Sequence, residues 1–238
     1  MRQRTSCALL SPRPLPCSVV TKRKVRRRAA QWVGWWLIRV LRRVLVVGLY
    51  HPLLRIWLSY FVVTGRENIP PGPVIFAAQH TSMADTPLLL IALGKRADRL
   101  VVTAARDYFF RRSRPGFGVL VGVAFGAVPI DRTGFARRSL TDVAAWLSAG
   151  FSVVMYPHGV IPESDVHAQR LRRGVALLAR QSGCPVVPVR FTGAARLLPA
   201  NVHWPRRGAV TVTFCAPLVA DPDKPLTVLT NQLLHAFE

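Results

Sequence analysis

A histidine and an aspartate five positions apart, His80 and Asp85, have the residue types and spacing for proton-transfer chemistry. They lie in the stretch Gln79-His80-Thr81-Ser82-Met83-Ala84-Asp85-Thr86-Pro87. An imidazole titrates near neutral pH, so it can take a proton from a hydroxyl without being permanently charged. A carboxylate on its other ring nitrogen fixes the tautomer and stabilises the imidazolium that forms. No serine or cysteine nucleophile is required if a substrate's own hydroxyl attacks. Taken alone, the pair is more simply read as a helix-capping aspartate beside a satisfied loop histidine, because short motifs recur by chance.

The flanking runs place the pair between two elements. Val74-Ile75-Phe76-Ala77-Ala78 is short, apolar and bounded by Pro73, which predicts a buried strand. Leu88-Leu89-Leu90-Ile91-Ala92-Leu93, stopped by Gly94, predicts a helix. Two phasings of the helix start compete. Thr86 followed by Pro87 suits a cap and a first-turn proline, whereas Ser82 with Asp85 three residues on suits a capping box. In either phasing His80 ends the strand and the turn can bring Asp85 back towards its ring.

From Thr64 onwards strand-like and helix-like segments alternate. Leu100–Thr103, Phe151–Tyr156, Val186–Phe191 and Ala209–Phe214 read as strands, and 137–149 and 170–182 as helices stopped by Gly150 and Gly183. Residues 226–237 read as a short helix, and 116–130 is apolar and rich in glycine. This alternation predicts an α/β layered fold, a mainly parallel central sheet flanked by helices. The expected divisions are a basic, disordered tail over 1–28, membrane-associating helices over 29–63, the α/β domain over 64–220 and a tail with a short helix over 221–238.

The N-terminal quarter has a different character. A basic cluster, Lys22 to Arg28, precedes an aromatic and aliphatic segment in which Arg39, Arg42 and Arg43 share one helical face. The longest uncharged part, Val44 to Leu54, is interrupted by Pro52 and is far short of the ~20 residues a spanning helix needs. Trp32, Trp35, Trp36 and Trp57 suit headgroup depth, and the arginines suit anionic lipid. The expectation is an amphipathic anchor on an anionic bilayer surface, with the basic residues favouring the cytoplasmic face. With 33 basic against 11 acidic residues the chain carries a net charge of +22. Such a surface attracts anionic partners. No nucleic-acid-binding motif accompanies the charge, so membrane lipids are the expected partner and nucleic acid is not. Cys7, Cys17, Cys184 and Cys215 show no metal-ligand spacing and no disulfide framework.

Four patches, in order, resemble the glycerolipid acyltransferase family, which includes the lysophosphatidic acid acyltransferases. They are Gln79-His80 through Asp85, Gly126-Ala127-Val128-Pro129-Ile130-Asp131-Arg132, Tyr156-Pro157-His158-Gly159, and Val186-Val187-Pro188-Val189. The family pattern is NHxxxxD, a glycine with an IDR-like patch, FPEGTRS, and a VPV-like strand. The resemblance covers roughly 64–220. It implies transfer of a fatty acyl group from acyl-CoA or acyl carrier protein, as a donor substrate and without a cofactor, to a lipid hydroxyl such as that of 1-acylglycerol-3-phosphate. His80 would be the general base and Asp85 its orienting carboxylate. Arg132 matches an arginine associated with acceptor phosphate. Gly126, the turn Tyr156-Pro157-His158-Gly159, and Arg172, which stands where the family has a lysine, complete the implied substrate-binding set.

The third patch departs from the pattern. His158 stands at the glutamate position, Val160 at the threonine and Ile161 at the arginine. Losing that arginine removes a phosphate donor worth roughly 1.5–3 kcal/mol. Gln79 replaces the usual asparagine. The alternatives are therefore a non-phosphate acceptor such as a glycolipid, or a domain that binds lipid without catalysis. The retained His80 and Asp85 weigh against the last.

Overall fold

The computed structural model describes residues 40–109, 115–131, 136–159, 161, 171–199 and 204–238. The expectations for the 1–28 tail, Trp32, Trp35, Trp36, Arg39, Arg132 and Val160 lie outside these residues.

Seven strands form one sheet: β1 Leu58–Thr64, β2 Ile75–Ala78, β3 Leu100–Ala105, β4 Ala127–Ile130, β5 Ser152–Met155, β6 Val186–Thr192 and β7 Gly208–Phe214. Their order is β1-β7-β6-β2-β5-β3-β4. Every neighbouring pair is parallel except β6 with β7. The helices are α1 His51–Trp57, α2 Asp85–Leu93, α3 Arg106–Phe109, α4 Pro115–Phe125, α5 Ala136–Ser148, α6 Gly174–Ser182, α7 Ala194–Leu197 and α8 Leu226–Phe237. The architecture is the α/β layered one that the alternating pattern predicts.

The inner strands are apolar runs because both faces of the sheet are covered. Side chains alternate between two cores along each strand. Phe76, Ala78, Val102, Val154 and Val187 pack with Leu88, Leu89 and Leu93 of α2 on one side. Ile75, Ala77, Val153, Met155 and Val186 pack with α5, α6 and α8 on the other. Helix α2 is apolar nearly all round, and Leu88, Leu89, Leu90, Ala92 and Leu93 are all buried. The glycine-rich segment resolves into α4 and β4, joined at Gly126, whose φ of 64° fits a turn that favours glycine.

Three expectations are corrected. Residues 58–63 are not part of a helical anchor: Leu58–Thr64 is a strand paired in parallel with β7, Phe61 opposite Val210 and Val63 opposite Val212. Its aromatic and β-branched composition suits a strand. The preceding helix is short, and a π-helical turn, Val46–Tyr50, leads into it. Pro52, in its first turn, has no N–H to donate to an i−4 carbonyl, a local cause for the wider turn.

Arg42 does not face lipid. Its guanidinium is buried and donates to the carbonyls of Leu100, at 2.7 Å, and Ala97. Ala97 belongs to the 3₁₀ turn Gly94–Arg99, and its carbonyl also accepts from the Leu100 N–H that caps the turn. Arg43 pairs with Asp98 at 3.5 Å. The helical residues 40–45 are thus fastened to the α/β domain. No helix among the described residues is long and apolar enough to cross a membrane.

The C-terminal helix is not a tail. Leu229, Leu233 and Phe237 of α8 are buried in the core.

Candidate active site

In a parallel sheet the residues just past the strands' carboxyl ends gather along one edge, and ligands bind there. Strands β2, β5, β3 and β4 are consecutive neighbours. They place His80, Tyr156, Arg106 and Asp131 on that edge, each within two residues of its strand's end. Register does the fine alignment. Ala77 pairs with Met155, so the chain after β2 runs beside Tyr156. Ala105 pairs with Ile130, and the next residues, Arg106 and Asp131, form an ion pair at 3.0 Å.

His80 Nδ1 lies 3.1 Å from Oδ2 of Asp85. The carboxylate is fully buried, while the imidazole is about a quarter exposed, at 23%. Asp85 opens α2, and its Oδ2 also accepts from the backbone N–H of Thr81, at 2.6 Å, and of Ser82, at 2.8 Å. Thr81 Oγ1 donates to Oδ1 at 3.3 Å. Ser82 Oγ accepts from the Ala84 N–H at 3.0 Å and donates to the Leu198 carbonyl at 2.7 Å. The phasing that prevails is therefore close to the Ser82–Asp85 alternative, with the helix beginning at Asp85 itself and Pro87 in its first turn. Asp85 serves both readings weighed from the sequence. It ties the turn together and holds the histidine, leaving Nε2 as the ring nitrogen available for proton transfer.

The imidazole borders a cavity of about 620 Å3, within the roughly 300–1,000 Å3 range of small-molecule sites. Its walls are mostly apolar: Val102 and Ala104 of β3, Val121 and Phe125 of α4, and Leu45 and Leu49 from the N-terminal helical segment. Polar groups in the lining include His80, Thr86, Tyr156, Asp131 and Arg172. The Tyr156 ring stacks on His80 with centroids 4.3 Å apart and planes 27° apart. The Tyr156 hydroxyl and Thr86 Oγ1 lie 2.6 Å apart. Burial and the neighbouring Asp85 carboxylate hold the phenol far above its usual titration range, only partly offset by the bond to Thr86.

The third patch forms a tight turn, the Gly159 N–H donating to the Tyr156 carbonyl at 3.0 Å. Gly159 has φ 76°, and a Cβ there would lie 3.0 Å from Nε of Arg172, so the guanidinium packs directly on the glycine. The Arg172 N–H donates to the Pro157 carbonyl at 2.9 Å. Arg172 precedes α6 instead of lying in its first turn, as the sequence suggested, because the helix begins at Gly174.

Of the sequence-predicted site residues, His80, Tyr156, Pro157, Gly159 and Arg172 line the cavity, and Asp85 lies directly behind His80. Two do not line it. Gly126 makes the α4–β4 turn, and its carbonyl accepts from the Val102 N–H at 3.1 Å. The ring of His158 stacks on Phe237 of α8 at 6.0 Å. Thr86, read from the sequence only as a candidate helix cap, and Asp131, given no role there, both line the cavity. Thr86 had a usable signal, since it directly follows the aspartate of the motif. Among the described residues no cluster of three His, Cys, Asp or Glu side chains could hold a metal.

A family model described as Acyltransferase matches residues 60–192. Over 176 residues the chain is 30% identical to an N-acylphosphatidylethanolamine synthase of Arabidopsis thaliana, a match taking in 70% of this chain and 57% of that one. It is 26% identical over 170 residues to the 1-acyl-sn-glycerol-3-phosphate acyltransferase BAT2, chloroplastic, of Brassica napus, covering 64% and 45% of the two. The chain spans about half the length of these curated relatives. In fold it is similar to the crystal structure of the 1-acyl-sn-glycerophosphate acyltransferase PlsC from Thermotoga maritima. That likeness has a TM-score of 0.59 at 20% identity, over 88% of this chain and 79% of the other. The family match begins within β1 and ends with β6, so it takes in every strand that presents a residue to the cavity. On that match, the chain belongs to the glycerolipid acyltransferase family.

Proposed function

We propose that this acyltransferase moves a fatty acyl group from a thioester, acyl-CoA or acyl carrier protein, to the hydroxyl of a lysophospholipid such as 1-acylglycerol-3-phosphate. The observation that carries the reading is the His80–Asp85 pair, with His80 in the wall of a large, mostly apolar cavity. The acyl chain lies in the cavity, and the thioester carbonyl lies at His80. The acceptor hydroxyl gives its proton to Nε2 as its oxygen attacks the carbonyl carbon. The new C–O bond forms while the carbonyl π electrons move onto oxygen. Collapse of this intermediate breaks the C–S bond, and the departing thiolate takes the proton back from the imidazolium. Asp85 keeps Nδ1 protonated and stabilises the cation between these steps. The thioester supplies the driving force, and no cofactor is needed.

Arg172, held on the turn of the third patch, provides positive charge for the acceptor's phosphate, and Arg132 is its partner in that role by resemblance. Arg172 thus makes up in part for Ile161. The exposed apolar side chains of Val40, Leu41, Val44, Ile56 and Tyr60 provide a surface for a bilayer, with the basic N-terminal residues on anionic headgroups. A cytoplasmic face fits that charge.

A second reading has two specific observations in its favour. The altered third patch and the 30% identity to an N-acylphosphatidylethanolamine synthase suit a different acceptor, the amine of phosphatidylethanolamine or a phosphate-free lipid. The deciding experiment follows thioester consumption by purified protein with long-chain acyl-CoA and acyl carrier protein. The acceptors are lysophosphatidic acid, glycerol 3-phosphate, phosphatidylethanolamine and lipid alcohols, with His80→Ala as the blank. His80-dependent turnover of the phosphorylated hydroxyl acceptors supports the first reading. Turnover of the amine or the phosphate-free lipids alone transfers the assignment to the second. Turnover independent of His80 overturns both.

A further inference from the structure

The resemblance has phenylalanine where this chain has Tyr156, so the phenol oxygen is an addition to an otherwise familiar position. A hydroxyl placed there is costly unless it finds a partner. Its partner is Thr86 Oγ1, at 2.6 Å. Both residues line the cavity beside His80. Between them they carry two O–H protons, and their mutual bond uses one. Neither side chain makes another hydrogen bond among the described residues. The second proton is therefore free to point into the cavity.

Its surroundings define what it meets. The phenol ring lies on the face of the His80 imidazole, 4.3 Å away by centroids. The acceptor oxygen must approach Nε2 in the imidazole plane, with the thioester carbon within about 3–3.5 Å of that oxygen. The ring stacked on that imidazole lines the same cavity, so it borders the space a carbonyl at His80 must occupy. Tyr156 stays protonated at any working pH, since burial and the Asp85 carboxylate both resist its ionisation. Negative charge appears on the carbonyl oxygen only after attack, so a neutral donor fixed nearby favours the transition state over the ground state.

We infer that the Tyr156–Thr86 hydroxyl pair is a donor to the oxyanion formed from the thioester carbonyl. This rests on the His80-base reading above. When the acceptor oxygen attacks, the carbonyl electron pair settles on oxygen, and the free O–H of the pair donates to it. When the C–S bond breaks, the pair reforms the carbonyl and the hydrogen bond weakens. No proton leaves Tyr156 or Thr86, and no co-reactant is consumed. The pair acts through its free proton whichever of the two oxygens carries it.

Tyr156→Phe is the direct test, because it keeps the stacked ring and removes one oxygen. The expected result is a kcat about 100-fold lower, with KM within about twofold, since a lost oxyanion donor costs roughly 10²–10³ in rate. Thr86→Val should lower kcat in the same direction, and the double variant, which alone removes both O–H protons, should be slower than either single one. A Tyr156→Phe enzyme with kcat within about threefold of the parent, or one changed only in KM, overturns the inference. A second measurement keeps it distinct from the fate of the base assignment. A trifluoromethyl-ketone analogue of acyl-CoA hydrates to a tetrahedral species without any acceptor. The parent should bind it more tightly than acyl-CoA, and Tyr156→Phe should lose that preference. Equal preference in the two proteins overturns the inference even if no acceptor is turned over. Loss of His80 dependence with the preference intact overturns only the base assignment.

Discussion

Gln79, the residue before His80, donates through Nε2 to the carbonyl of Phe237, 158 positions later, at 3.0 Å. Its Oε1 accepts from the Phe191 N–H at 3.2 Å, and its own N–H donates to the Val189 carbonyl at 2.9 Å. The amide thus joins the end of β2 to β6 and to the last turn of α8. An asparagine, the family's usual residue, is one methylene shorter and cannot span both side-chain contacts. Gln79→Asn should lose one or two hydrogen bonds at about 1 kcal/mol each. That corresponds to a melting temperature lower by roughly 2–8 °C. Because the same residue orients the start of the His80 turn, kcat should fall several-fold as well. Thermal melts followed by circular dichroism, paired with turnover, check both.

The two members of the His80–Asp85 pair should separate catalysis from folding. His80→Ala should lower kcat by about 10²–10⁴ while lowering the melting temperature less than Asp85→Ala, since the ring is partly exposed and the turn keeps its carboxylate. Asp85→Ala should lose activity and also melt early. The N–H groups of Thr81 and Ser82 both bond its buried carboxylate, and hydrogen bonds to a charged group are worth roughly 1.5–3 kcal/mol each. An Asp85→Ala protein as stable as the parent would show that the carboxylate does not organise the turn.

Arg42 fastens the helical residues 40–45 to the carbonyls of Leu100 and Ala97, and Leu45, Leu49 and Tyr50 beyond it line the cavity. Arg42→Ala would remove a charged donor from the buried Leu100 carbonyl and from that of Ala97, which keeps the Leu100 N–H, at roughly 1.5–3 kcal/mol for each bond lost. The expected outcome is faster proteolytic cleavage before residue 58 and a broader acyl-chain preference, read as kcat/KM across chain lengths. An unchanged length profile would separate the latch from the cavity wall.

Gly159→Ala should act on the acceptor through Arg172. The substitution places a Cβ 3.0 Å from Nε at a backbone φ of 76°, which side chains other than glycine disfavour by roughly 1–2 kcal/mol. The guanidinium must move. Arg172→Ala should raise KM for a phosphorylated acceptor about 10- to 100-fold, the equivalent of one charge-assisted bond. Gly159→Ala should raise it less, and neither should alter KM for acyl-CoA by as much.

Alkaline pH should destabilise the fold through groups that are held neutral. Burial raises the phenol of Tyr156, the phenol of Tyr50 and the thiol of Cys215, with Arg190 opposing the rise at Cys215. The unfolded chain releases these protons near the ordinary values of 9.0 for the thiol and 10.0 for the phenols. The folded protein retains them to higher pH. Their contribution is therefore fully present below those values and is lost as pH rises through them towards the raised ones. For Tyr156 the slope should approach about 1.4 kcal/mol per pH unit above pH 10. Urea titrations between pH 8 and 11 should show this decline, and Tyr156→Phe should flatten it.

The local elements were legible from the residues themselves. Apolar runs closed by glycine or proline marked β2, α2 and β5, and the spacing of His80 and Asp85 across a strand–turn–helix junction put the pair within reach. These follow from short-range physics: side-chain period, caps and the conformations that glycine and proline permit. Tertiary pairing decided the rest. Leu58–Thr64 became a strand because β7, about 150 positions later, offers an open edge. Arg42 became buried because the carbonyls of Leu100, at the start of β3, and of Ala97, in the turn before it, face it. Tyr156 came to lie on His80 because β5 is the neighbour of β2 in the sheet, and His158 met Phe237 because α8 folds back onto the same layer. A sequence period specifies which side of an element is apolar. It carries no mark of which distant element will cover that side, and this choice placed the cavity, its cation and its second hydroxyl around the histidine.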